Sequence, residues 1–249
     1  MGAVQILVIE LSSLDPVGNL GEWLTAAGAE TTVVRPVERE LPDPTDFQGV
    51  IVLGGEMGVY DDAEHPWLSQ VRSLLSTALG QKQAVLGIGL GAQLLAVVTG
   101  GQVRPVAAGP EVGTLLVAKR DSAAKDPLFE LVPLTPDVLQ MHADEISELP
   151  PGAKLLAASP KSDIQAFRVG NCGYGLQFHI ETTTDSVLRW ASAAPELAAA
   201  ARPGQLEREH LDEFHEDLAE TWAPVVERFV QLAITPPEER GRDTSLPLV

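Results

Sequence analysis

VLGIGLGAQLLAVVTGG, residues 85–101, joins a buried-strand run, a glycine-rich turn and a helix. The apolar run through Ile88 has strand length, residues 90–99 repeat apolar side chains at helical spacing, and Gly100-Gly101 ends them. A sharp strand-to-helix turn of this kind holds one side chain, commonly a nucleophile, at the top of an α/β sheet. The residue in that position is Gly89, which has no side chain to present.

Outward from this stretch, short apolar runs alternate with helical patterns, the signature of an α/β protein with a largely parallel central sheet and helices on both faces. Strands are expected at 4–11, 31–35, 49–53 and 84–88, with helices at 20–27, 65–80 and 90–99. In the second helix Pro66 suits the first turn and Gly80 the stop. From about 102 to 180 the runs shorten. Strands are expected at 113–118, 138–141, 154–158, 165–169 and 173–178, adding antiparallel strands to one edge. Residues 205–232 form an amphipathic helical stretch, with Pro224 expected to kink or break it. The expected organisation is a domain at 1–192, a helical C-terminal appendage at 193–232 and a flexible tail at 233–249.

Composition narrows the chemistry. The chain has 249 residues, 45% hydrophobic and 21% charged, as an ordinary globular protein does. With 17 Lys and Arg against 35 Asp and Glu, the net charge is −18. No basic run answers a phosphate backbone, so nucleic acid is not an expected partner. A single cysteine, Cys172, leaves neither an internal disulfide nor a cysteine zinc site, and the five histidines show no metal spacing. The N-terminal apolar run is strand-length and lacks a charged leader, and no segment reaches the ~20 apolar residues of a membrane span. The expected location is the cytoplasm.

Several segments together resemble the class I glutamine amidotransferases. They are VLGGEMGVYDDAEHPWL at 52–68, GIGLGAQLLA at 87–96, EVG at 111–113, MHADE at 141–145 and YGLQFHIE at 174–181. The resemblance covers about residues 4–190 and implies a flavodoxin-like glutaminase fold with a Cys-His-Glu triad and no cofactor. That chemistry needs a thiolate to attack the amide, a histidine to carry the proton, a carboxylate to orient the imidazole, and two backbone N–H donors for the oxyanion. The resemblance makes His179 the base and Glu181 its orienter. It puts the oxyanion donors at Leu90 and at Gly55 or its neighbour Gly54, the substrate contact at Gln93, and His142 in the pocket wall. Taken alone, these residues also read as a surface His and Glu after a strand, a Gly-Gly turn, an exposed helical Gln and a structural His.

Three positions depart from the pattern. Where the family reads G-x-C-x-G, this chain has Gly89. Ile180 replaces a proline between His179 and Glu181, and Glu56 follows Gly55 where a proline is usual. Cys172 precedes His179 by seven residues, on the order of 23 Å along an extended strand. It reads as an inert thiol. Ser12 and Ser13 follow the first strand on the correct edge but belong to no elbow.

Three functional readings follow. The first is a homologue without the nucleophile that binds a glutamine-like or γ-glutamyl ligand, or a partner protein. The second is a glutamine amidotransferase or γ-glutamyl hydrolase seen as a nucleophile-lacking variant, natural or engineered. The third is a repurposed pocket in which His179 activates water. Ammonia transfer would require a synthase on a separate chain.

Overall fold

The run at 84–88 is a strand with all five residues buried, and it lies at the centre of the molecule. The computed structural model describes residues 2–240. Its strands are Val4–Ile9 (β1), Ala29–Val34 (β2), Gly49–Val52 (β3), Ala84–Ile88 (β4), Gln102–Pro105 (β5) and Glu111–Leu116 (β6). They continue with Ala118–Lys119 (β7), Asp137–His142 (β8), Asp144–Glu148 (β9), Lys154–Ala158 (β10), Ala166–Val169 (β11) and Gly173–Leu176 (β12). The helices are Asn19–Ala26 (α1), Leu68–Gly80 (α2), Leu90–Val98 (α3), Thr184–Ala193 (α4), Pro195–Ala198 (α5) and Arg208–Ile234 (α6).

The main sheet runs β2-β1-β3-β4-β12-β11-β10-β7. Its first five strands are parallel, in the flavodoxin-like order, and β11, β10 and β7 add antiparallel strands at one edge. Parallel strands covered on both faces must be apolar throughout, and Ile6, Leu7, Val8 and Ile9 are fully buried accordingly. Leu20 and Leu24 of α1 and the apolar stripe of α6 cover one face; Val71 and Leu75 of α2 with Leu94 and Leu95 of α3 cover the other. Two small sheets, β5-β9 and β6-β8, lie outside the main one. The sequence pattern does not mark β5, β9 or α4, whereas α5 falls within the helical stretch expected at 193–232.

Some local expectations need correction. The second helix starts at Leu68, after Pro66 rather than around it. Gly80 is its last helical residue, and the positive φ beyond the helix, 58°, belongs to Lys82. Pro224 does not break α6, which runs unbroken for 27 residues. Pro224 is exposed, as is Glu220, whose carbonyl it leaves without an N–H. On the opposite face Trp222, Val225, Val226 and Phe229 are buried in the same core as β1 and β4. Ala233 and Ile234, expected in the tail, complete this helix. Residues 241–249 of the expected tail lie outside the described residues.

At the central turn the glycines act sterically. A side chain on Gly87 would run into the backbone of Gly91, and one on Gly91 into the carbonyl of Val52. Helix α3 therefore sits directly on β3 and β4, with its N-terminus over the carboxyl ends of the parallel strands.

Candidate functional site

In open α/β sheets ligands bind outside the carboxyl ends of the strands, where the strand order reverses. Four such ends converge here. The segment after β1 brings Asp15, the one after β3 brings Gly54 and Gly55, the one after β4 brings Gly89, and the one after β12 brings His179 and Glu181.

Gly89 caps α3 with φ 55° and ψ −118°, a conformation that excludes side chains except under strain. Its N–H bonds to Leu176 O at 2.8 Å, tying the turn to β12. A Cβ built on Gly89 would stand 2.8 Å from Cε1 and 3.1 Å from Nε2 of His179. The imidazole edge therefore faces the position from which a nucleophile would project. Leu90, the first helical residue, has a backbone N–H with no intrahelical acceptor.

His179 Nδ1 lies 2.6 Å from Glu181 Oε1. An ionised carboxylate only accepts, so Nδ1 carries the proton and Nε2 turns toward Gly89. The pair is held from several sides. His179 N–H donates to Leu139 O at 2.9 Å, and Glu181 Oε2 accepts from the Ile180 N–H at 2.9 Å. Below it, the Asn19 N–H donates to Glu181 O at 2.8 Å, and His215 of α6 contacts the Thr182 hydroxyl at 3.0 Å. Trp190 of α4 packs edge-on against the imidazole with ring centres 4.7 Å apart. Its indole N–H donates to Leu14 O at 2.5 Å.

Asp15 and Trp190 are the residues that sequence reasoning missed. Asp15 is buried beside Glu181, and its Oδ1 has no hydrogen-bond partner. Burial and the neighbouring Glu181 charge push the Asp15 carboxyl well above its usual range. Of the two neighbouring carboxyls, Asp15 is therefore the one shifted toward holding its proton. Burial penalises both charges of the His179–Glu181 pair. Their mutual attraction outweighs that penalty, raising His179 and lowering Glu181. Ligand atoms of Asp15, His179 and Glu181 all lie within 4.8 Å of one another. Two ligands of a tetrahedral zinc are roughly 3.3 Å apart, given metal–ligand bonds of about 2.0 Å. The 2.6 Å His179–Glu181 separation is instead that of a proton-bridged pair.

Gly54 must be glycine for a reason the sequence does not reveal: a side chain there would run into Asp15 and His179. Gln93, read from sequence as open to an exposed role, is buried and donates toward Gln177 Oε1 at 3.3 Å. His142 is also buried. Its Nδ1 is 2.8 Å from Asp144 O and its Nε2 3.4 Å from Glu111, so it braces β6 against β8 while lining the site. Glu56 is exposed at the rim. A cavity of 160 Å³ lies over Gly89, walled by Leu90, Gln93, His142, Asp144, Gln177 and His179.

Cys172 lies just before β12, at the other end of the sheet from His179, and burial raises its thiol above the ordinary range. Register places it level with the start of β4, so about 16 Å of strand separates it from Gly89. The Ser12 hydroxyl accepts from the Leu14 N–H at 3.0 Å within its own turn. No helix among the described residues is long and apolar enough to cross a membrane.

Comparison with known proteins agrees with the fold. Residues 17–186 match the family model described as glutamine amidotransferase class-I. Gamma-glutamyl peptidase 4 of Arabidopsis thaliana is 28% identical over 163 residues, 64% of each chain, so this chain spans just under two thirds of that relative. A glutamine-hydrolyzing GMP synthase subunit of Ignicoccus hospitalis is 33% identical over 149 residues, 59% of this chain and 74% of that one. The crystal structure of a glutamine amidotransferase from Thermotoga maritima superposes with a TM-score of 0.80 at 27% identity, covering 93% of this chain and 100% of the other. The chain belongs to the class I glutamine amidotransferase family.

Proposed function

We propose that this protein binds a glutamine-like or γ-glutamyl ligand over Gly89 and forms no acyl-enzyme with it. The observation that carries this reading is the glycine at the elbow, with the imidazole of His179 packed so close that a Cβ would crowd it. The neighbouring groups support binding. The backbone N–H of Leu90 is available to a carbonyl oxygen, and Gln93 and Gln177 line the same cavity. His179, Glu181, Gly54 and Gly55 form the remnant of the triad and its oxyanion loop, with His142 as a brace. Relatives whose names include a synthase suggest an ammonia-using partner on a separate chain. The cytoplasm is the compartment this reading assigns.

A second reading has its own support in the retained His179–Glu181 pair at 2.6 Å, a general base able to activate water. One experiment separates the two. Glutamate release from glutamine and from γ-glutamyl amines is measured for this chain and for Gly89→Cys, with ligand binding followed by calorimetry. Binding without turnover in the parent is the expected result, and turnover confined to Gly89→Cys would identify a disarmed site. Turnover by the parent overturns the non-hydrolysing reading in favour of water activation. Absence of any binding overturns both.

A further inference from the structure

The cavity over Gly89 does not end at the imidazole. A second cavity, of 170 Å³, adjoins it, and the two share Gly55, Glu56, Met141, His179 and Leu197 as walls. Their chemistry differs sharply. Gln93, Gln177, His142 and Asp144 line the first, whereas Leu14, Trp190, Ala193 and Ala194 give the second a largely apolar wall. The apolar room exists because the junction of α4 and α5 presents alanines, and Ala194 leaves helical geometry there with φ −128° and ψ 65°.

Glutamine cannot use this second space. With its γ-carbonyl over Gly89, glutamine carries nothing on its amide nitrogen to reach past His179, the wall that the two cavities share. A substituted amide would extend from the same nitrogen into the adjoining cavity. Charge restricts the substituent further. Besides His179, the titratable wall residues of the second cavity are Asp15 and Glu56, both acids, and no Lys or Arg lines it. A carboxylate on the amine side would meet a largely apolar surface and two acids, and the one basic group in the wall, His179, is already paired with Glu181.

We propose that the second cavity takes the amine-side substituent of a γ-glutamyl amide, and that this substituent is an uncharged alkyl chain. This inference rests on the reading that the γ-glutamyl carbonyl lies over Gly89. An apolar protein cavity of about 150 Å³ holds benzene, so 170 Å³ suits an alkyl chain of roughly four to six carbons. The ligand class is therefore γ-glutamyl alkylamides, in preference to glutamine and to γ-glutamyl dipeptides, which end in a carboxylate.

The test is calorimetric titration of the full chain with glutamine, the γ-glutamyl methyl-, ethyl-, propyl- and butylamides, and γ-glutamylalanine. Affinity is expected to rise by up to about fourfold per added methylene, while γ-glutamylalanine binds no more tightly than glutamine. Ala194→Leu, which narrows only the second cavity, is expected to remove most of the butylamide advantage and to leave glutamine affinity unchanged. Glutamine binding with a flat alkyl series, or γ-glutamylalanine binding as tightly as the butylamide, overturns the inference alone. Failure of every ligand to bind overturns it together with the reading beneath it. Persistence of the butylamide advantage in Ala194→Leu places the chain elsewhere and also overturns it.

Discussion

The imidazole of His179 rests against the backbone of Gly89, closer than any side chain at that turn would allow, since an added Cβ would lie 2.8 Å from Cε1. The glycine at this turn and the close approach of the imidazole are one structural fact. The space a side chain at position 89 would need is partly taken by the His179 ring.

Gly89→Ala tests how firmly the turn requires glycine. A side chain at φ 55° and ψ −118° is strained, a cost of roughly 1–3 kcal/mol, and the methyl must also displace His179. Urea unfolding at neutral pH should show a loss of stability of about that size. An unchanged midpoint would mean that the backbone relaxes freely here.

His179 should titrate above its ordinary value of 6.5, because the Glu181 carboxylate, with Asp15 behind it, outweighs the burial that opposes the charge. A raised value means that the pair's stabilisation is complete below 6.5 and is lost as pH rises through the folded-state value. Glu181→Gln removes the raising charge and leaves burial, so the His179 midpoint should fall below 6.5. The ring signals of His179 in NMR report it, as does Trp190 fluorescence, since that ring lies 4.7 Å away. Equal midpoints in the two proteins would remove Glu181 as the controlling partner.

Asp15 is raised by burial first and by Glu181 second, from an ordinary value of 3.8. Between that value and the folded one, the unfolded chain is ionised while the native protein still holds the proton, so stability falls as pH rises. Asp15→Asn has no such titration. Its stability relative to the parent should therefore improve as pH rises from the ordinary value of 3.8 toward the folded-state value. A difference independent of pH would show that Asp15 is ionised in both states.

Helix α6 is expected to unfold with the sheet, not before it. Trp222 is fully buried, with Phe178 and Phe129 at 5.1 and 5.9 Å, and its indole donates to Asp137 O at 3.2 Å. Trp222→Ala should cost about 3–5 kcal/mol. Circular dichroism and tryptophan fluorescence of the parent should give coincident transitions. An early, separate helical transition would make 208–234 an independent appendage.

Much of the scaffold is legible in the sequence because its strands are short, continuous apolar runs bounded by turn residues. The strand at 84–88 and the helix start at Leu90 coincide with the structure, since Gly87, Gly89 and Gly91 punctuate them. Strands β5 and β9 are hidden in the sequence because they pair only with each other and are short and mostly polar, as in QVRP and DEISE, with no apolar run or regular alternation to mark them. Helix α4 is hidden because Thr and Ser dominate its first turn. In the structure Thr183 and Ser186 form a reciprocal capping box.

The sequence alone determined the parallel α/β architecture and the glycine at the elbow, because those are properties of local runs and local spacing, and its resemblance to the amidotransferases singled out His179 and Glu181 as candidates. Tertiary structure alone decided that Asp15 shares a buried site with Glu181, that Trp190 packs on the imidazole, and that a second, apolar cavity continues past it. These residues are brought together by sheet order, which sets the carboxyl ends of β1, β3, β4 and β12 side by side. Charge and volume at such a meeting point depend on distances between segments remote in the chain, and no local pattern of residues encodes them.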